Sequence, residues 1–383
     1  MKIVYIYKSM ALLAGMERIL SNKMNLLAEQ YNYDIIFVTY EQGDNPISFQ
    51  LSPKIKHYNV DCKFYKRYKY GFIKKNIYLY KMKKIFQNKL SHLFSLINPD
   101  IIITTTYEYH LLDNIYKSYP NAKIILESHV AKETELISSH VKIPILHQFA
   151  QLWDLRMERY ISKFNCIVAL TSKDKASWKK FKNVMVIPNM ITYPLDITHM
   201  PSKRIISVGR LNYQKGFDIL IDVWSSIANK YPDWSIHIYG DGELKECLLD
   251  QISKYKLTNS IFIHPATSDI YAKYQEHEFY VMTSRYEGFG LVLAEAMSCG
   301  IPCVSFDCPH GPGEIIIHNE NGILIENGNI EKMAENISYL IEHEDERIRM
   351  GMKAKESIKR FREDDIMKLW VELFENLKSS NLI

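Results

Sequence analysis

The chain predicts an α/β protein made of two Rossmann-like halves, and three observations carry that prediction. Short runs rich in β-branched residues alternate with helical patterns along its 383 residues, the signature of parallel sheets with helices on both faces. The alternation falls into two series, separated just beyond residue 190 by a stretch of proline and polar residues. The length also exceeds what one hydrophobic core normally covers, so two domains are expected.

In chain order, the first series of strand-like runs is Ile3 to Tyr7, Ile35 to Thr39, Ile101 to Thr105, Ile124 to Glu127, Cys166 to Thr171 and Val184 to Ile187. Helical patterns such as Met16 to Tyr31 and Phe149 to Lys163 lie between them. The boundary belongs after Pro188-Asn189-Met190, in the segment from Thr192 to Pro201. A second series follows: Ile205 to Val208, Ile236 to Tyr239, Ile261 to His264, Phe279 to Met282, Pro302 to Phe306 and Ile323 to Ile325. The last segment, Asp364 to Lys378, places Ile366, Leu369, Trp370, Leu373, Phe374 and Leu377 at helical spacing, so it is an amphipathic helix. No internal repeat or low-complexity tract interrupts the pattern.

Composition narrows the function classes. The 48 basic and 44 acidic side chains leave a net charge of +4, so nothing in the overall charge argues for binding a polyanion. Six cysteines without close, even spacing favour a reducing compartment over a disulfide scaffold. Met1 to Tyr7 is a short apolar strand interrupted by Lys8 rather than a signal peptide, and no window reaches transmembrane length. A cytoplasmic protein, soluble or peripheral on the cytoplasmic face of a membrane, is expected.

The chemistry concentrates in Ser284-Arg285-Tyr286-Glu287-Gly288-Phe289-Gly290-Leu291-Val292-Leu293-Ala294-Glu295. A buried strand runs into a glycine-containing turn, and a helix opens at Leu291 and ends near Gly300. The backbone N–H groups of Phe289, Gly290 and Leu291 lie at that helix start, where unpaired donors and the helix dipole attract a diphosphate or sugar oxygens. Glu287 precedes the turn and Glu295 lies inside the helix, and a carboxylate beside such a site commonly faces ribose hydroxyls. Upstream, Arg210 and Lys215 flank a turn that ends in Gly216 and follows a strand, a placement suited to neutralising a leaving diphosphate. Cys299, Cys303, Cys308 and His310 cluster in sequence but spread over a helix end, a strand and a loop. Buried thiols explain them better than zinc does.

These motifs resemble the retaining glycosyltransferases of family 4, which have the GT-B fold. The resemblance rests on Glu287-x7-Glu295 in EGFGLVLAEAMSCGIPCV, on Ser207 to Gly216, and on Gly15-Met16-Glu17-Arg18-Ile19-Leu20. It implies two Rossmann-like domains facing across a cleft. Residues 1–190 would bind the acceptor, 191–363 would bind the nucleotide sugar, and a helix over 364–383 would cross back to the N-terminal domain. It further implies that Arg210 and Lys215 hold the donor diphosphate, Glu295 the ribose, and Glu287 the transferred sugar and the positive charge at its anomeric carbon. The Gly15 loop would approach the donor. A front-face route, in which the departing phosphate helps to deprotonate the acceptor, is the usual proposal for that family.

His129, at the end of the strand that includes Glu127, is similar in position to a histidine that touches the transferred sugar in that family; His110 is the competing candidate. The loop Asp307-Cys308-Pro309-His310-Gly311-Pro312-Gly313-Glu314-Ile315-Ile316 resembles a subgroup that uses UDP-sugars in surface-glycan assembly. The resemblance thus implies transfer of a hexose or N-acetylhexosamine from a UDP-sugar to a lipid-linked or growing oligosaccharide, with no metal and no other cofactor. A GT-B-type UDP-sugar epimerase and a non-catalytic glycan-binding subunit are the alternatives. Between Asp61 and Asp100 no acidic residue occurs, while ten basic residues from Lys63 to Lys89 interleave with aromatics. This segment, 63–89, suits an anionic membrane surface better than nucleic acid, with a solvated helix face as the plain reading.

Overall fold

Runs of β-branched and aromatic residues that are buried on both faces become parallel strands, because helices cover both sides of the sheet they form. The computed structural model describes residues 1–12, 14–129, 144–192, 202–267 and 269–379. The chain divides into two compact units. One comprises Met1–Leu170, Asp174–Ile187 and Met367–Ile383; the other comprises Thr171–Lys173 and Pro188–Ile366. The stretch in which the sequence places its boundary lies, apart from Thr192, outside the described residues.

The strands of the first unit are β1 (Lys2–Tyr7), β2 (Asp34–Thr39), β3 (Lys56–Asn59), β4 (Ile101–Thr105), β5 (Lys123–Ser128), β6 (Cys166–Ala169) and β7 (Val184–Val186). Among the described residues they form one sheet in the order β3-β2-β1-β4-β5-β6-β7, and every pairing is parallel. β3 has no counterpart in the sequence reading. Its residues, Lys-His-Tyr-Asn, are all exposed at the sheet edge, so no apolar run marks it. Side chains such as Ile6, Val38, Phe86, Phe94 and Trp178 build the core, each stabilising by about 1.5–3 kcal/mol when withdrawn from water.

The second unit repeats the plan with β8 (Arg204–Val208), β9 (Ser235–Tyr239), β10 (Ile261–His264), β11 (Phe279–Met282), β12 (Cys303–Asp307) and β13 (Gly322–Glu326). Among the described residues the order is β10-β9-β8-β11-β12-β13, again all parallel. Leu220, Trp224, Ile236, Phe279 and Ile337 belong to its core. In both units the strand order reverses direction beside the first strand, between β1 and β4 and between β8 and β11. Ligands of doubly wound sheets bind outside the carboxyl ends of the strands at such a switch point.

Two helices need separate mention. Of the stripe expected from its spacing, Glu363–Ser379 buries Ile366, Trp370, Leu373 and Phe374, adds Met367, and leaves Leu369 and Leu377 half-buried. From Met367 onward it belongs to the first unit, where the Tyr33 hydroxyl donates to Glu375 at 3.2 Å. Phe72–Ile97 buries only Phe86, Leu90, Phe94 and Ile97 of its 26 residues. Among the described residues no helix is long and apolar enough to cross a membrane.

Candidate active site

In the second unit the switch point is built by the two segments that leave β8 and β11. After β8 the chain makes a single helical turn, Tyr213–Lys215, whose start is capped by the Asn212 side chain accepting from the Lys215 amide at 3.3 Å. Gly216 ends that turn in the left-handed conformation, with φ +64°, and a Cβ there would overlap the Thr283 carbonyl oxygen. Only glycine satisfies both conditions. The Thr283 hydroxyl in turn donates to the Gly216 carbonyl at 2.9 Å, so the turn is fastened to the end of β11.

A second fastening comes from Arg285, whose guanidinium grips Asp218 with two bonds of 2.9 and 2.6 Å. It also donates to the Tyr213 carbonyl at 2.8 Å and lies 4.0 Å from the centre of the Tyr213 ring. Asp218 is thereby held below the usual carboxylate range, chiefly by its hydrogen bonds from Arg285. Arg285 therefore positions the turn that carries Lys215.

Lys215 and Glu287 meet at this point. The ammonium donates to Glu287 Oε1 at 2.6 Å, and the Ser284 hydroxyl donates to the same oxygen at 2.7 Å. The Lys215 side chain is 17 % exposed and that of Glu287 is 7 % exposed. Glu287 Oε2 has no hydrogen-bond partner among the described residues, so one carboxylate oxygen is anchored while the other keeps its acceptor capacity. The Lys215 stem lies flat against Gly209, where a Cβ would stand 3.2 Å from three of its carbons.

Beyond Glu287 the chain reaches Gly290, again left-handed at φ +90°, and the helix Leu291–Ser298 begins. The amides that open it lack intrahelical acceptors by geometry. Phe289 is buried edge-on against Phe361 at 5.2 Å, and Gly311 packs so closely that a Cβ would touch Glu287 and the Phe289 carbonyl. Glu295 is buried, with the Tyr274 hydroxyl donating to it across a long 3.5 Å. Arg210 is exposed; its carbonyl accepts from the Asn212 amide at 2.8 Å, while its side chain makes no hydrogen bond or ion pair among the described residues.

The remaining predicted residues lie in the first unit. Gly15 is the exposed first residue of the helix Gly15–Glu29. His129 is enclosed: its Nε2 meets Glu127 Oε2 at 2.7 Å, and the Glu127 carboxylate also accepts from Lys23 at 2.5 and 2.6 Å. Burial alone would raise the Glu127 acid, but the Lys23 and His129 contacts outweigh it and hold it at about 2. The Trp370 ring covers the Lys23 ammonium at 4.0 Å. Sequence reasoning missed Lys23, although a signal was present: it occupies the helix face shared by Leu20, Met24 and Leu27. His110, the competing histidine, is pushed down to about 3 by burial. Of the cysteines considered for zinc, Cys299, Cys303 and Cys308 are buried, and burial raises the Cys299 and Cys308 thiols to about 12.

Residues 198–357 match the family model described as glycosyl transferases group 1. Over 367 residues the chain is 30 % identical to an uncharacterized glycosyltransferase of Haemophilus influenzae, covering 92 % of this chain and 94 % of that protein. The chain belongs to the glycosyl transferases group 1. This glycosyltransferase is also 30 % identical, over 58 % of its length and 47 % of the relative's, to a poly(ribitol-phosphate) alpha-N-acetylglucosaminyltransferase of Staphylococcus aureus. Among solved structures it is similar to an S. aureus TarM variant in complex with fondaparinux, alpha-GlcNAc-glycerol and UDP. That likeness has a TM-score of 0.78 at 19 % identity and covers 97 % of this chain and 99 % of the other. A sucrose-phosphate synthase from Thermosynechococcus elongatus gives 0.82 at 15 % identity over 99 % of both chains. The fold of this glycosyltransferase is GT-B.

Proposed function

We propose that this glycosyltransferase moves a hexose or N-acetylhexosamine from a UDP-sugar, with retention of anomeric configuration and without a metal, to a lipid-linked or growing surface glycan. The observation that carries the reading is Glu287 at the β8/β11 switch point, with one oxygen held by Lys215 and Ser284 and the other without a partner. In this reading Lys215, already fixed by its turn, and the exposed Arg210 take the negative charge of the departing diphosphate. Preorganised cations serve that role because they need not reorganise as charge develops. The amides at Phe289, Gly290 and Leu291 add donors, and Glu295 takes the ribose. The free oxygen of Glu287 faces the transferred sugar and the positive charge growing at its anomeric carbon. His129 and Gly15 contribute to the sugar and donor contacts from the first unit.

The UDP donor is supported by the TarM structure, which contains UDP. The surface-glycan acceptor is supported by the S. aureus relative and by an amylovoran biosynthesis glycosyltransferase of Erwinia amylovora, 33 % identical over 54 % of this chain and 61 % of that protein. Incubation with a panel of UDP- and GDP-sugars in the presence of EDTA tests the reading, with nucleotide release and the product anomer followed by NMR. An α-linked product from an α-configured UDP-sugar is expected. An inverted product, use of GDP-sugars alone, or epimerisation of the donor without acceptor would each sink it.

Membrane docking belongs to the same proposal. Phe72, Ile73, Ile77 and Tyr80 are 52–80 % exposed at the start of Phe72–Ile97, interleaved with Lys74, Lys75, Lys81 and Lys84. Exposed apolar side chains among lysines complement an anionic interface. The protein should float with vesicles containing phosphatidylglycerol and stay behind with neutral ones. Equal behaviour on both would remove this part of the reading.

A further inference from the structure

The first unit has a switch point of its own between β1 and β4, and a cavity of about 340 Å³ opens there. That volume is in the range of small-ligand sites. Its floor is Glu108, fully buried just beyond β4. The Thr105 hydroxyl donates to one carboxyl oxygen; the Lys8 amide, at 3.1 Å, and the Tyr40 hydroxyl, at 3.4 Å, donate to the other. Its roof is the turn Phe64–Lys69, tied down where the Tyr65 amide donates to Glu41 at 2.6 Å.

Arg67 hangs from that roof. One terminal nitrogen donates to the Tyr68 hydroxyl at 2.8 Å, but Nε is buried with no hydrogen-bond partner among the described residues. A buried guanidinium N–H left unpaired costs free energy, and Arg67 is one of the residues that line the cavity. A guanidinium presents parallel donors that match a phosphate. Lys8 adds a second cation, at 3.4 Å from Glu41 and 60 % exposed. Glu108 does not cancel these charges near neutral pH, because burial raises its acid to about 8. The tyrosines of the wall supply ring faces and hydroxyls suited to a polyol.

We propose that this cavity is an acceptor subsite for a sugar or polyol unit carrying a phosphate, with Arg67 on the phosphate and Tyr68 and Lys8 beside it. The inference rests on the reading of the chain as an enzyme with a glycan acceptor, and it names the chemical class of that acceptor.

The test is calorimetric titration of the full chain with three probes: a trimer of glycerol joined by phosphodiesters, triglycerol lacking phosphate, and inorganic phosphate. UDP is titrated in parallel. The trimer should bind, triglycerol should not, and Arg67→Met should weaken the trimer at least tenfold while leaving the UDP affinity and the melting curve unchanged. Arg67→Lys should recover part of the loss. Equal binding of the trimer by Arg67→Met and the wild type overturns the proposal. So does failure of the trimer to bind, equal binding of triglycerol, or inorganic phosphate binding as tightly as the trimer. Failure of the donor reading registers separately, as absent UDP binding, however the trimer behaves.

Discussion

Lys23 meets Glu127 at 2.5 Å in the first unit, and Lys215 meets Glu287 at 2.6 Å in the second. The two contacts have nearly the same length and the same chemistry, yet their surroundings differ. Around Glu127 both oxygens are taken, His129 fills the remaining direction, and Trp370 closes over the ammonium. Around Glu287 one oxygen is anchored and the other is open, and Lys215 keeps 17 % of its side chain in contact with solvent. A saturated pair can only be broken. A half-satisfied pair can exchange partners, which a catalytic carboxylate needs and a structural one must avoid.

Making the same substitution in both pairs gives the largest expected effects. Lys23→Met leaves a buried carboxylate without its main counter-charge and should destabilise the protein by about 3–5 kcal/mol, read from the midpoint of urea unfolding. Lys215→Met should leave that midpoint nearly unchanged and instead lower kcat/KM by about 10²–10³-fold, the usual loss when one preorganised donor is removed. Equal destabilisation by the two substitutions would break the comparison.

Acid gives the smaller effect and acts on both units, since burial also lowers His110 of the first unit to about 3. Burial lowers His237 to about 3 and His277 to about 4, and lowers His264 as well. In the second unit His237 stacks on His264 and meets His277 edge-on. Each must stay neutral to remain folded in, so its contribution is complete above the ordinary histidine value of 6.5 and declines below it, for His237 and His277 down to about 3 and about 4. Glu127, held at about 2, keeps its contribution until pH drops below the ordinary carboxylate value of 4.5. Melting temperatures measured between pH 7 and pH 5 should therefore fall, and His237→Asn should flatten that slope. An unchanged slope would show that the histidine cluster carries none of it.

The two pairs also differ in how far the sequence reveals them. Lys215, Glu287 and the glycines around them sit in short continuous segments at strand ends, where spacing alone ties residue type to position. The pair of the first unit joins residues 104 apart, and its cover comes from the last helix. No local pattern encodes that meeting beyond a lysine on an apolar helix face. The strand alternation was legible because buried parallel strands are apolar throughout. The edge strand β3 was not, since exposure frees its side chains from that constraint. Glu295 was visible as a residue, but its burial depends on Tyr274 and on helix packing. Arg67 and Glu108 were invisible as a site because three strand ends and a turn must converge before a cavity exists.

The last helix also sets the order in which the protein can mature. Tyr33 bonds to Glu375, 342 residues further along, and Trp370 closes over Lys23, so the first unit to leave the ribosome lacks this cover until the segment around Trp370 has been made. At about 5–20 residues per second that interval lasts on the order of tens of seconds. During it, the Lys23 ammonium lacks its Trp370 cover, while the second unit, contiguous from Pro188 to Ile366 apart from three residues made earlier, can already have folded. The half synthesised first is the half completed last.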